Sequence, residues 1–204
     1  MRNSTKEKLM RAARKHAGIF SADDVVQEGL SVKTLYNLRD NNEVISVSRG
    51  LFQLVDIDDN TMAATPDYAA IKKRVPNGVI CLVSALYHHR LTTEIPRKIY
   101  LAISRDAHVP RIDYPPTIIF RMSAVPFSVG VESIEIGTVR VNIFSPEKTI
   151  VDCFKYRNKL GLDIAIEALK NYCSSRSANS ARILEMSRVC RVETIIKPYL
   201  EALV

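Results

Sequence analysis

The sequence predicts an α+β protein: an N-terminal winged helix-turn-helix followed by a mixed α/β domain with a mostly antiparallel sheet and C-terminal helices. Three helical patterns and a hairpin pattern occupy the first 56 residues, and the last two helices and the hairpin follow in the order of a winged helix-turn-helix. Beyond residue 66, strand patterns form one block and helical patterns follow, which is typical of α+β domains. We therefore expect domains at residues 1–56 and 67–204, joined by a linker at 57–66.

A first helix is predicted over residues 4–16, and Gly18 stops it before a short extended pair. The inward positions of this helix share helical spacing: Leu9, Ala12, Ala13 and His16. The next segment, SADDVVQEG, begins a second helix with Ser21 as its N-cap and ends it at Gly29. A third helix follows after a very short turn, in SVKTLYNLRDNN, with Ser31 as its predicted N-cap.

The stretch ISVSRGLFQL, residues 45–54, alternates apolar and polar residues on both sides of one Arg-Gly pair. The alternation predicts a two-stranded hairpin that forms the wing. Its predicted apolar side comprises Ile45, Val47, Phe52 and Leu54. Arg49 then lies at the tip of the wing, where an arginine enters the minor groove or binds a phosphate.

The third helix is the predicted reading helix, with Leu35 and Leu38 facing inward. Its outward side chains are of types that bind phosphates and base edges: Ser31, Lys33, Thr34, Tyr36 and Asn37. The alternative is a small packing or protein-interaction domain with an ordinary solvated face. The first 15 residues carry six Lys and Arg against one Glu, in a chain of net charge +7, and this favours DNA binding.

The acidic DIDDN segment at 56–60 is interpreted as a solvated linker rather than a metal-binding D-x-D motif. A short helix follows, with Thr65 as cap and Pro66 at its first position. The later predicted elements are an apolar helix at 78–91, strands at 97–104 and 117–122, a hairpin at 131–144 with its turn at 137–138, a helix from Pro146 that Gly161 ends, and helices at 162–173 and, twice, within 181–204.

What the sequence lacks argues against several classes of protein. It has no apolar run long enough to span a membrane and no apolar signal-peptide core, so we expect a cytoplasmic protein. It lacks Walker, GxGxxG and GxSxG motifs and an acid-x-Lys nuclease pattern, so we predict no catalytic residues, no enzyme and no cofactor. No metal site is expected, and four buried free thiols are predicted: Cys81, Cys153, Cys173 and Cys190.

Two segments of the second domain mix basic, aromatic and hydroxyl side chains, which suits a nucleic-acid or nucleotide surface. One is the predicted loop that carries His88, His89, Arg90, Thr92 and Thr93. The other is a helix end that carries Lys155, Tyr156, Arg157, Asn158 and Lys159. The alternatives are a polar helix-to-strand connection for the first segment and favourable placement of cations at a helix C-terminus for the second.

Three long segments resemble the AbiEi family of antitoxins from type IV toxin-antitoxin systems, which are bacterial transcriptional autoregulators. They are SALYHHRLTTEIPRKIYLAI, SPEKTIVDCFKYRNKLGLDIAIEAL and GIFSADDVVQEGLSVKTLYNLRDNNEVISVSRGLFQL. One departure is HHRL, where the family pattern leads us to expect HHGL or a similarly small residue. The departure puts Arg90 at a tight turn.

The resemblance implies that the winged helix binds inverted repeats in the promoter of its own operon and represses it. It also implies that the C-terminal domain opposes a nucleotidyltransferase-like toxin, encoded next door, without a stable protein complex. The implied base and groove contacts are Lys33, Thr34, Asn37 and Arg49, and the implied backbone contacts are Lys6, Arg11, Arg14 and Lys15. The candidate antitoxin surface comprises Arg157, Asn158, Lys159 and Arg90.

From these features we expect a protein that is monomeric in solution and assembles cooperatively on double-stranded promoter DNA. Two other functions remain open at this point. One is a transcription factor whose second domain senses a small ligand and has no link to a toxin. The other is an enzyme that processes nucleic acids or nucleotides.

Overall fold

The computed structural model describes residues 3–16, 18–55, 66–136 and 139–203. The first part of the chain contains α1 (Asn3–Lys15), β1 (Ile19–Ser21), α2 (Ala22–Gln27), α3 (Val32–Asp40), β2 (Val44–Ser48), β3 (Leu51–Leu54) and α4 (Pro66–Arg74). The DIDDN segment, the predicted cap Thr65 and the predicted turn at 137–138 lie outside the described residues.

The rest of the chain continues the same alternation of strands and helices. Its elements are β4 (Val79–Ile80), α5 (Leu82–His88), β5 (Ile99–Ser104), β6 (Thr117–Met122), α6 (Ala124–Ser128), β7 (Val131–Ile136), β8 (Val139–Phe144), α7 (Pro146–Lys155), α8 (Arg157–Leu160), α9 (Leu162–Cys173), α10 (Ser180–Cys190) and α11 (Glu193–Glu201). The α+β class predicted from the sequence is confirmed.

The chain forms two compact units. The first comprises residues 1–76, 110–116 and 134–141, and the second comprises 77–109, 117–133 and 142–204. The first unit thus extends past the predicted linker and takes in α4, which the sequence pattern assigned to the second domain. The physical reason is that α4 packs on β1, where Ala70 is buried in one cluster with Ile19 and Leu51.

The first unit has the helices and the wing that the sequence predicts. Helices α1, α2 and α3 pack on an antiparallel three-stranded sheet of order β1-β3-β2. Its core cluster comprises Leu9, Ala12, Ala13, Phe20, Val25, Leu35, Leu38, Val44, Phe52 and Leu54. Three of the four predicted inward positions of α1 are buried, whereas His16 is only half-buried.

Both predicted N-caps of the helix pair are confirmed. The Ser21 hydroxyl accepts from the Asp24 N–H at 3.3 Å, and the Asp24 carboxylate accepts from the Ser21 N–H at 2.7 Å, which is a capping box. The Ser31 hydroxyl accepts from the Thr34 N–H at 3.1 Å. These bonds satisfy amides that have no partner within the helix and fix where α2 and α3 begin.

The predicted core residues of β3, Phe52 and Leu54, are buried, but in β2 the side that faces the core differs by one position from the prediction. Val44 is buried opposite Leu54, whereas Ile45, predicted to be apolar-side, is 45% exposed. A β-bulge between Ser46 and Ser48 breaks the alternation, so Val47 packs near Leu51 on the other face. Because side chains alternate along a strand, a shift of one residue moves each side chain to the opposite face of the sheet. An alternating apolar and polar sequence does not indicate where a bulge will occur.

Strands β4 to β8 form a mixed five-stranded sheet of order β6-β5-β4-β8-β7. β4 pairs antiparallel with β5, but parallel with β8, and β5 pairs parallel with β6. The prediction of a mostly antiparallel sheet is therefore corrected to a mixed sheet. Two parallel strands need a connection of about a dozen residues, which is usually a helix. The segment 105–116 connects β5 to β6 but contains no helix, so the sequence pattern did not indicate a parallel pair.

The predicted apolar helix at 78–91 is in fact a strand followed by a shorter helix. Val79 and Ile80 form β4, in which Ile80 pairs with Ile143, and α5 begins only at Leu82. Periodicity does not separate a short buried strand from a buried helix, because both appear as one apolar run.

The predicted start of α7 is confirmed, but its end is earlier than predicted. The Ser145 hydroxyl accepts from the Lys148 N–H at 3.3 Å, and Pro146 takes the first helical position. The helix ends at Lys155, and a separate turn, α8, occupies the stretch before Gly161. Gly161, with φ of 103°, then makes the connection to α9.

A charged pair lies inside the core of the second unit. Lys148 and Asp152, one turn apart on α7, are buried and joined by a hydrogen-bonded salt bridge. The Lys148 ammonium lies 4.1 Å from the centroid of the Phe144 ring, and the Cys190 thiol is 3.8 Å from Asp152 Oδ1. Each charge is therefore stabilised by the other and by polarisable neighbours.

Three of the four predicted buried thiols are confirmed: Cys81, Cys153 and Cys190. Cys173 is only half-buried, so the prediction is wrong for that residue. Burial raises the pKa of the Cys81 and Cys153 thiols well above the ordinary value, which disfavours the thiolate that metals and nucleophilic chemistry require.

In the described part of the chain, no helix is long and apolar enough to cross a membrane.

We predict that Asp152→Asn destabilises the second unit by about 3–5 kcal/mol, because it leaves a buried lysine charge without its partner. The double variant Lys148→Met/Asp152→Leu should lose much less, since it removes both charges and keeps the volume apolar. Urea denaturation followed by circular dichroism compares the two. An equal decrease in the free energy of unfolding in the single and double variants would show that the unpaired lysine charge is not the cause of the destabilisation.

Candidate nucleic-acid interface

The outer face of α3 carries the predicted reading residues. Leu35 and Leu38 are buried against α1 and β3, so the opposite face of the helix points away from the core. Lys33, Tyr36 and Asn37 are exposed on that face. Helical spacing sets Lys33 and Asn37 on neighbouring turns, where a DNA-reading helix has the side chains that reach a groove.

Two of the predicted contact residues already hydrogen-bond to each other. The Ser31 hydroxyl caps α3, and its oxygen lies 2.9 Å from the Thr34 hydroxyl oxygen. Thr34 is also half-buried, unlike Lys33 and Asn37. The structure therefore gives Ser31 and Thr34 a role in fixing the start of α3.

Tyr36 is held in place by contacts that the sequence pattern does not reveal. Its ring meets that of Phe52 edge-on, with centroids 6.0 Å apart and planes at 81°. The guanidinium of Arg39 lies 4.8 Å from the Tyr36 ring centroid, and it donates to Asp40 at 2.7 and 3.0 Å. The exposed aromatic ring is thus fixed between the wing strand β3 and its own helix.

The tip of the wing is anchored from α4. Arg49 is exposed at the turn, and Gly50 supplies the left-handed φ of 73° that the turn needs. The Arg74 guanidinium donates to the Ser48 hydroxyl at 2.8 Å and also to the Arg49 carbonyl oxygen. Arg74 follows the wing by 25 residues, and no sequence motif indicated this contact.

A second contact from α4 reaches the start of α2. Lys73 forms an ion pair with the Asp24 carboxylate, and His16 Nε2 lies 3.1 Å from its other oxygen. Burial acts to raise the pKa of Asp24, but hydrogen bonds from Lys73 and Ser21 outweigh it and lower that pKa below its usual value. Burial and the nearby Lys73 charge lower the pKa of His16, which favours its neutral form.

The basic residues of α1 are not equally available to a DNA backbone. Lys15 Nζ lies 2.5 Å from a Glu28 carboxylate oxygen, and Arg11 Nε lies 3.8 Å from the other one. Lys6 and Arg14 are exposed and, with Arg11, line an open groove of about 450 Å³. Among the described residues, Glu28 pairs with Arg11 and Lys15 and no ion pair involves Lys6 or Arg14, so these last two are the better placed to bind phosphates.

The candidate antitoxin residues of the second unit fall into two separate places. Arg157 donates to the Phe154 carbonyl at 3.0 Å, and Lys159 Nζ lies 5.8 Å from the Phe120 ring centroid. Both therefore lie just beyond the C-terminal end of α7, together with the exposed Asn158.

Arg90 lies near the other end of α7. It follows His89, whose Nε2 is 2.8 Å from the Phe144 carbonyl just before α7 begins. Ten helical residues at 1.5 Å each separate the two ends by about 15 Å. Arg90 has a φ of 58°, the left-handed conformation that a small residue in HHGL would adopt more easily.

The polar loop that precedes β5 has a structural explanation. Thr92 donates to Glu167 at 3.0 Å, and the Thr93 amide and hydroxyl donate to the other carboxylate oxygen at 3.0 and 3.1 Å. These bonds tie the loop to α9, as the alternative of a polar connection predicts. No group of three or more His, Cys, Asp or Glu side chains that could hold a metal ion occurs among the described residues.

Comparison with known proteins supports both the fold and the helix-turn-helix. The fold is similar to that of the RV2827C protein from Mycobacterium tuberculosis, with a TM-score of 0.54 and 9% identity over 97% of this chain and 81% of that chain. No curated protein matches the sequence. Residues 7–55 match the family described as "Transcriptional regulator, AbiEi antitoxin". The match covers the helix-turn-helix region, so this part of the chain is similar to the AbiEi antitoxin family of transcriptional regulators.

Proposed function

We propose that the protein is a DNA-binding repressor that autoregulates a type IV toxin-antitoxin operon and counteracts a nucleotidyltransferase-like toxin. The observation that carries the DNA-binding part is the exposed face of α3 beside a wing whose tip is anchored by Arg74. Lys33, Asn37 and Arg49 lie on these two elements with their side chains exposed. Ser31 and Thr34 fix the start of the reading helix.

The charge distribution supports binding to the phosphate backbone. Lys6 and Arg14 on α1 supply cations outside the reading helix, and Arg11 and Lys15 join them when a phosphate replaces Glu28. Such contacts make affinity depend steeply on salt. Inverted repeats in the promoter would be occupied by monomers that assemble cooperatively on the DNA.

For the antitoxin part, we propose the surface beyond the C-terminal end of α7, formed by Arg157, Asn158 and Lys159. Arg157 and Lys159 supply two cations beside the exposed Asn158 amide, a combination that suits nucleotides and nucleic acids. Arg90 belongs to a separate place at the other end of α7. The toxin would be opposed without a stable protein complex.

One observation favours a second candidate, a transcription factor that responds to a small ligand. An open cleft of about 570 Å³ in the second unit has a lining of apolar and charged residues. It is lined by Glu94, Ile95, Pro96, Arg97, Lys98, Tyr100 and Ile118. Loss of repression on adding a metabolite that also raises the melting temperature would favour this candidate.

We expect Arg49→Ala to weaken binding to the promoter fragment about 5- to 10-fold and to reduce the salt slope by about 0.9, because one phosphate is no longer neutralised. Gel-shift titrations at several fixed salt concentrations measure both quantities. Arg176→Ala, which removes the same charge from an exposed position in the second unit, is the control and should bind like the wild type. Unchanged affinity for Arg49→Ala would contradict the role of the wing.

Arg74→Ala should also weaken DNA binding, although Arg74 acts on the wing backbone rather than on DNA. Without its bonds to Ser48 and Arg49, the wing tip has no anchor and exchanges its amide hydrogens faster. Hydrogen exchange over residues 46–51 measures this directly. Lys72→Ala, on the same helix, removes a local bond to the Pro76 carbonyl and should leave wing exchange unchanged. A protected wing in Arg74→Ala would refute the anchoring role.

The two activities should separate by mutation of the full chain. Expressed from an unrelated promoter, Arg49→Ala should still protect cells from the neighbouring toxin, because its second unit is intact. Arg157→Ala/Lys159→Ala should bind promoter DNA normally and lose protection. Growth assays with the induced toxin, with protein levels matched by immunoblot, measure protection. Full protection by the double variant would place the antitoxin surface elsewhere.

A further inference from the structure

The reading helix exposes an apolar pair beside its polar residues. Val32, the first residue of α3, is 39% exposed, and Tyr36, one turn later, is 41% exposed. Residues four apart on a helix lie one above the other, so these two side chains form one continuous apolar strip. A single exposed valine needs no explanation, but a strip on the face that meets DNA does.

The strip runs parallel to the polar pair Lys33 and Asn37. Each polar residue follows its apolar neighbour by one position, so the outer face of α3 is half apolar and half polar along its first two turns. A helix that binds only phosphates has no use for the apolar half. A helix that reads base edges does, since bases present both polar atoms and methyl groups in the major groove.

Both side chains of the strip are held in fixed positions. Val32 is β-branched, and a β-branched side chain in a helix keeps essentially one rotamer. Tyr36 is fixed by Phe52 on one side and by Arg39, which is itself bonded to Asp40, on the other. A fixed apolar surface loses little side-chain entropy on binding, which is what a selective contact requires.

We propose that Val32, with the Tyr36 ring as the neighbouring wall, contacts the 5-methyl group of a thymine in the operator. The inference rests on the proposed DNA-binding function and adds the base that the helix reads. The N-terminal residues of a reading helix contact base edges, and Val32 is the first of them. Thymine is the base that presents a methyl group in the major groove.

The test uses two versions of the DNA fragment immediately upstream of the gene, one synthesised with thymine and one with uracil throughout. Uracil pairs as thymine does and lacks only the methyl group. Wild-type protein should bind the uracil fragment about 4-fold more weakly for each methyl group that it buries in the thymine fragment. Val32→Ala should bind the two fragments equally, because its shorter side chain no longer reaches the methyl group.

Val26→Ala is the matched control, since Val26 is an exposed valine on the neighbouring helix α2. It should discriminate between the fragments as the wild type does, which separates a local contact from a general effect of uracil on DNA shape. Gel-shift titrations at one salt concentration give the affinities of all three proteins for both fragments.

Equal affinity of the wild type for both fragments would overturn the thymine contact and leave DNA binding in place. Discrimination that persists in Val32→Ala, or that disappears in Val26→Ala as well, would also overturn it. Failure of the wild type to bind either fragment in preference to unrelated DNA would instead contradict the proposed function.

Discussion

The burial of Leu35 and Leu38 is the constraint on which the first unit depends. These two leucines attach α3 to α1 and to the wing strand β3, in one core with Leu9 and Phe52. Because the inner face of the helix is fixed, its outer face is fixed as well, and that face presents Lys33 to the solvent. The capping bonds of Ser31 set where the helix begins, which decides which side chains come first.

Side chains of α4 hold two parts of the first unit that its hydrophobic core does not fix, the tip of the wing and the start of α2. A two-stranded wing has little core of its own, and its tip depends on bonds from outside the hairpin. Arg74 supplies them at Ser48 and at the Arg49 carbonyl, and Lys73 does the same for Asp24 at the start of α2. Neighbouring basic residues of one helix thus hold the tip of the wing and the start of α2, in addition to the packing of α4 on β1.

The second unit is organised around α7. Its core side carries the buried pair Lys148 and Asp152, and its two ends present different surfaces. Arg90 lies near the start of the helix and Arg157 just beyond its end. The length of α7 thus separates Arg90 from Arg157, Asn158 and Lys159, which the sequence placed in one candidate surface because of their residue types. The surface that we propose as the antitoxin surface therefore lies at the later end only, where Arg157, Asn158 and Lys159 follow one another.

The sequence by itself determined the α+β class, the helix pair with its Ser21 and Ser31 caps, the position of the wing and the start of α7. These features depend on short-range periodicity, capping and turn residues, which a few neighbouring residues specify. Only the tertiary structure decided the bulge that turns Ile45 outward, the parallel neighbours of β4 and β5, the fixed ring of Tyr36 and the anchor from Arg74. Each of these depends on pairing or packing between residues far apart in the chain, and local sequence patterns do not encode which distant partner is met.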